Sequence, residues 1–206
     1  PDAFPEGAGL YVSLAETKGG LGLVFYDRVH GNLMAARQEG GKWQPAVIID
    51  GQSTGPNGAV DTGDVGIGAS LFVDSAGDWH VAYVHGFDES LLYNKITGGT
   101  TAGTPEIVDD GVVPEGQAVV GADSSIAVGS SGDVLIAYQD ATRGKARYAV
   151  GKPGGAAHTW TKKDLAVSDF AGGFNKVLAS GAKTEVLTWW RRAKPRTEGD
   201  ISIVTP

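Results

Sequence analysis

The chain has 206 residues, a formal net charge of −7, a 41% hydrophobic share, 32 glycines and no cysteine. That length can bury the core of one domain, and the apolar share excludes a disordered chain. The missing cysteines remove disulfides and thiolate chemistry. No apolar run approaches the ~20 residues of a spanning helix, so no membrane insertion is expected, and the acidic balance argues against a nucleic-acid partner.

In chain order, the leader PDAFPEGA (1–8) holds two prolines and is a poor strand. Four short runs follow: YVSLAE (11–16), LGLVFYD (21–27), LMAAR (33–37) and KWQPAVIID (42–50). They are rich in β-branched and aromatic residues and punctuated by Gly, Asp and Asn, which predicts strands. The same order returns as ASLFVD (69–74), WHVAYVH (79–85), LLYNK (91–95) and TPEIVDD (104–110). It returns again as SSIAVG (124–129), VLIAYQD (134–140), ARYAV (146–150) and HTWTKKDLAV (158–167). A fourth unit reads KVLASG (176–181), EVLTWWR (185–191) and, after the insertion-like AKPRTEG, ISIV (201–204). Phe25, Tyr83, Tyr138 and Trp189 form one column of this alignment, spaced by 58, 55 and 51 residues, and Asp27, His85, Asp140 and Arg191 form another. No stripe of period 3.6 interrupts the pattern.

Repeats of about four strands predict an all-β fold, a β-propeller of about four four-stranded blades, either complete or part of a larger propeller. The blades span roughly 9–51, 65–111, 120–167 and 174–206 within one domain, the last lacking its outer strand. A β-sandwich of short strands is the alternative. The aromatic column is expected to be buried between blades.

The pieces V-G-x-x-x-S (65–70), SLFVDSAGDWHVAYVH (70–85) and SSIAVGSSGDVLIAYQD (124–140) resemble the tandem repeats of secreted bacterial propellers, related in pattern to the Asp-box propellers of sialidases. The Asp-box pattern S-x-D-x-G-x-x-W is met loosely by Asp74, Gly77 and Trp79, and the third unit has Gly129 where the Asp would stand. The resemblance implies an extracellular or cell-surface protein. Sialidases also carry an Arg-Ile-Pro element, which this sequence lacks.

Alternate residues of a strand share a face. The second column therefore predicts Asp27, His85, Asp140 and Arg191 around one face, either as a ring for a polar ligand or as turn-closing side chains. Trp190 and Arg192, in the basic aromatic run TWWRRAKPR (188–196), are further candidates for stacking on a sugar. His80 and His85 fall on opposite faces and cannot share a metal, and DTGDVG (61–66) and DSAGD (74–78) read as turns with weak calcium-loop character, so no cofactor is assigned. No Walker loop, GxSxG or HExxH motif is present.

These readings converge on a binding or interaction scaffold without catalytic activity. The alternatives are a carbohydrate-binding, lectin-like propeller and a glycoside-processing enzyme of sialidase-like fold. The only methionine is Met34, so Pro1 is not a translation start and a processed product or a piece is expected. Three outer strands for four sets of inner strands predict that the ISIV edge is paired from outside 9–206, by the leader, a second copy or another protein.

Overall fold

The computed structural model describes residues 7–56, 58–167, 169–181, 183–192 and 198–206, and the described elements are strands joined by turns. The first sheet runs β1 (Ala8–Thr17), β2 (Gly20–Asp27), β3 (Asn32–Glu39) and β4 (Lys42–Trp43), with β5 (Val47–Asp50) also on β3. The hairpin of β6 (Gln52–Gly55) and β7 (Gly58–Asp61) leads to the second sheet. That sheet holds β8 (Val65–Val73), β9 (Trp79–His85) and β10 (Ser90–Thr97), whose outer edge is shared by β11 (Thr101–Ala102) and β12 (Glu106–Asp109). A second hairpin, β13 (Val112–Val113) and β14 (Gly116–Gln117), precedes the third sheet: β15 (Val120–Val128), β16 (Val134–Asp140), β17 (Lys145–Pro153) and β18 (His158–Asp164). The fourth has β19 (Phe170–Ser180), β20 (Lys183–Arg191) and β21 (Gly199–Val204). Among the described residues no strand pairs with the outer edge of β21. The two linking hairpins have no counterpart among the expected elements.

Period-2 alternation divides each central strand between two cores. Trp79, Val81 and Tyr83 of β9 pack on Val24, Leu33 and Ala35 of the first sheet, while Ala82, on the opposite face, meets Val120, Ile136 and Tyr138 of the third. Leu135 and Ala137 then meet Val177 and Val186 of the fourth. The sheets thus stack in sequence, β1 on β8, β8 on β15 and β15 on β19, and no comparable packing joins the fourth sheet to the first among the described residues. The result is an open arc.

The innermost strands carry the recurring device behind the V-G-x-x-x-S signature. Each contains a bulge whose residue adopts left-handed backbone: Tyr11, Gly68, Asp123 and Phe174. Two residues past the bulge, the hydroxyls of Ser13, Ser70 and Ser125 accept hydrogen bonds from the N–H of Leu71, Ile126 and Val177 in the following sheet, at 3.0, 3.2 and 3.1 Å. Lys176 takes that place in the fourth sheet.

A second tie joins outer strands to the next sheet. Tyr83 donates to Asp50 and Tyr138 to Asp109, both at 2.7 Å. Asp109 is buried and also holds Lys162 at 2.8 Å and Arg147. Burial opposes its ionisation, but Lys162, Tyr138 and Arg147 outweigh that and keep its carboxyl below the usual carboxylate range.

The fourth sheet corrects the repeat alignment by one residue. Ile126 pairs with Ile136 and Val177 with Val186, so Thr188, not Trp189, matches Tyr138, and Trp190, not Arg191, matches Asp140. A one-residue slip exchanges faces. Val186 and Thr188 are accordingly buried against the third sheet, while Trp189 looks away from it and is half-buried. Tyr83 and Tyr138 are fully buried as expected; Phe25 is half-buried because it faces away from the second sheet and, among the described residues, no sheet covers that face.

Candidate functional site

The turns at the ends of β2, β9 and β16 place the second column on one rim of the arc. Each column residue closes its own turn. Asp27 accepts from the Val29 N–H at 3.0 Å and holds the His30 ring at 2.8 Å. His85 accepts from the Asp88 N–H at 3.2 Å, with the Asp88 carboxylate 3.6 Å away. Asp140 accepts from the Arg143 N–H at 2.8 Å and from its guanidinium at 2.6 and 2.7 Å. The partners alternate in sign, Asp with His, His with Asp and Asp with Arg, so each pair is complementary at its own tip. Burial works against ionisation of Asp27, yet the His30 ring and the Val29 N–H hold its carboxyl below the usual carboxylate range.

The remaining candidates sit apart from these turns. Arg191 lies over the Phe170 ring at 4.8 Å, and Trp190 packs at the border of the third core. Arg192 pairs with Glu198 at 2.8 Å, beside residues 193–197, which lie outside the described residues. Asp27, His85 and Asp140 are thus each engaged at their own tip, and Trp190, Arg191 and Arg192 follow one another at the end of β20 with partners of their own.

The structure gathers another set. Between the first two sheets, at this rim, a cavity of about 490 Å³ is lined by Tyr26, Arg28, His30, Gln52, Asp61, Asp64 and Phe87, among others. Tyr26 donates to Asp64 at 2.6 Å; burial, then that carboxylate, push its phenol well above its ordinary range. Asp61 accepts from the Gly63 N–H at 2.9 Å. His30 keeps its side chain 68% exposed, and Phe87 is 75% exposed. Acceptors, donors and one open aromatic ring thus border a single cleft. Asp27 and His85 shape it from behind: Asp27 fixes His30, and the His85 ring lies so close to Gly63 that a side chain there would meet Nε2 at 2.7 Å. Of these lining residues, sequence reasoning met Asp61 and Asp64 only as part of a turn. The overlooked signal was Phe87, an apolar aromatic inside a turn.

A second cavity, about 480 Å³, lies along the innermost strands and is lined by Tyr11, Val12, Ile67, Val84, Glu89 and Asp123 among others. Asp123, the one carboxylate at the four bulge positions, accepts from the Phe174 N–H at 3.2 Å. Among the described residues no group of three or more His, Asp or Glu is placed to hold a metal, and no helix is long and apolar enough to cross a membrane.

No family model matches the sequence, and no curated protein matches it. Solved structures do. The chain is similar to the NanB sialidase of Streptococcus pneumoniae, with a TM-score of 0.58 and 14% identity over 93% of this chain and 29% of that one. It is similar to an exo-beta-1,3-galactanase from Clostridium thermocellum, with a TM-score of 0.56 and 11% identity over 94% of this chain and 45% of that one. The fold is a β-propeller. An alpha-L-arabinanase from Cellvibrio cellulosa shares this propeller with a TM-score of 0.50 and 12% identity, over 94% of this chain and 72% of that one. The chain thus spans less than half the length of the first two propellers.

Proposed function

We propose that this propeller is a non-catalytic carbohydrate-binding module of the extracellular space or cell surface, and that the cleft between its first two blades takes the sugar. The observation that carries the reading is the exposed Phe87 ring beside the Tyr26–Asp64 pair, His30 and Gln52. A pyranose offers an apolar C–H face and a ring of hydroxyls. The first stacks on an aromatic, and the second needs paired donors and acceptors at the edge. The named activities of the similar propellers, on sialosides, galactans and arabinans, support a saccharide ligand. Glycoside hydrolysis usually needs two placed carboxylates; of the two at this cleft, Asp64 is engaged by Tyr26 and Asp61 by the Gly63 N–H. Binding to a glycan array, lost in Phe87→Ala and in Asp64→Ala, tests the site. Turnover of a chromogenic sialoside or glycoside panel would replace the reading with the enzymatic one, and capture of a protein ligand with a blank array would restore a plain interaction scaffold.

A further inference from the structure

The two linking hairpins repeat one arrangement at successive blades. In the first, Gln52 and Asp61 of the β6–β7 hairpin face the tip between β2 and β3 across the cleft of about 490 Å³. In the second, Gln117 of the β13–β14 hairpin faces the tip between β9 and β10. There a cavity of about 410 Å³ is lined by Phe87, Asp88, Ser90, Ile107, Asp110 and Gln117. The positions correspond. Asn32 pairs with Asp27 across the first tip and Ser90 with His85 across the second, and each lines its own cavity. The Gln117 amide fixes the second wall, donating to the Asp110 carbonyl at 2.7 Å and to the Asp88 carbonyl at 3.1 Å. Among the described residues no hairpin joins β18 to β19, so the arrangement stops at the second blade.

Phe87 borders both cavities. Its ring packs against His85, with centroids 6.3 Å apart and planes at 61°, and is otherwise open, at 75% exposure. Resting on the sugar-binding reading above, we propose that the ligand is an oligosaccharide of at least two units, which runs past Phe87 from one cavity into the other and carries no charge on the unit in the second. A site repeated from one blade to the next fits a ligand that repeats in the same way. The second cavity also offers the same kinds of contact as the first. Ile107, 63% exposed, gives apolar surface to C–H groups, and Asp88 and Asp110, with side chains 73% and 57% exposed, give acceptors to hydroxyls. The charged side chains of that lining are these two carboxylates, so a carboxylate-bearing sugar would be repelled there. One open ring and a few hydroxyl contacts hold a single sugar weakly, because each hydrogen bond competes with water. Joining a second unit makes its binding intramolecular and adds affinity without altering the first.

The test is titration of the full chain with ladders of increasing length built from galactose, arabinose, xylose, glucose and mannose, with a galacturonic acid ladder beside them. In a bound neutral ladder, affinity is expected to rise at least about tenfold from one unit to two or three and then to level off. Ile107→Ala and Asp110→Ala are each expected to erase most of that rise, whereas Asp64→Ala lowers binding at every length. Asp110 also accepts from the Val112 N–H; if its variant fails to fold, the open Ile107 position carries the same test. A monosaccharide bound as tightly as its longer forms, with that binding lost in Phe87→Ala, overturns the proposal and leaves the sugar site standing. A rise with length that survives both variants overturns it, since the added units would then lie elsewhere. So does a galacturonic acid ladder that gains as much as a neutral one. Failure of every ladder to bind overturns the sugar-binding reading and this inference with it.

Discussion

At the scale of single residues, the rim is governed by side chains that answer to the backbone next to them. Asp140 is buried, yet its neighbour Arg143 stands four residues from the strand's penultimate position and supplies both a backbone and a guanidinium donor. Asp140→Asn keeps an acceptor for the Arg143 N–H, so its cost is expected to stay below about 1 kcal/mol, whereas Asp140→Ala strands that donor and costs about 1–3 kcal/mol; urea unfolding separates the two. Phe87→Ala removes an exposed ring that supports no core, so the melting temperature is expected to hold within about 2 °C while glycan binding falls at least about tenfold. His80 behaves in the opposite manner. It is buried against Tyr93 at 2.8 Å and Asp74 at 3.2 Å, and burial outweighs the Asp74 carboxylate, so its pKa lies below the ordinary histidine value. The unfolded chain then binds the proton more readily than the folded one. Stability is expected to be full above about pH 6.5 and to fall as the pH drops through the lowered value, with His80→Gln flattening that slope in denaturant titrations.

At the scale of elements, the strands were legible because period 2 and turn residues are local properties. The junctions were less so, because they depend on partners some 30 residues apart. Tyr138 was expected in the core, but the sequence did not reveal that it ends on Asp109, with Arg147 and Lys162 completing the cluster. Tyr138→Phe removes one bond and leaves Asp109 with both cations, an expected loss of about 1–2 kcal/mol; Asp109→Ala removes the acceptor shared by Tyr138, Arg147 and Lys162, while Arg147 keeps Asp164 at 3.0 Å and Lys162 keeps Asp110 at 3.6 Å, and is expected to cost about 2–3 kcal/mol, read by calorimetry. The fourth unit went out of step because Trp189 drew the aromatic column toward itself. Ser180 pairs with Lys183 across a tighter turn than the one between Val128 and Val134, and that shortening moves Thr188 into the column. Thr188 accepts from the Gly172 N–H at 3.1 Å, while Leu165 occupies the outer-strand position that Asp50 and Asp109 hold elsewhere. Tyrosine and aspartate are thus lost together. Phe25→Ala, for the same reason of context, is expected to cost less than the ~3–5 kcal/mol of a fully buried phenylalanine, since its ring is only half-buried among the described residues.

At the scale of the whole molecule, each blade touches only its neighbours, so stability is a sum of blades and junctions along a line. The slowest amide exchange is expected in β9, β16 and β17, which lie between covered faces, and the fastest in β1 and β21 at the ends of the arc. The cleft between the first two sheets was the least legible part of the sequence: Tyr26 stood beside the column and not in it, and its partner Asp64 lies 38 residues away in a segment that reads as a turn. The hairpin tips carry one more consequence. Arg28, Gly86 and Ala141 each donate their N–H to a carbonyl just before their own blade's inner strand, those of Gly7, Asp64 and Val119, and each tip brings its own closing pair. A tip is therefore a transplantable cassette. Exchanging residues 28–30 with 141–143 would carry an intact latch in both directions, because an aspartate waits at each base; the same cassette moved to 86–88 would set His30 against His85, two imidazoles with no carboxylate between them, and that tip would be left without its clasp.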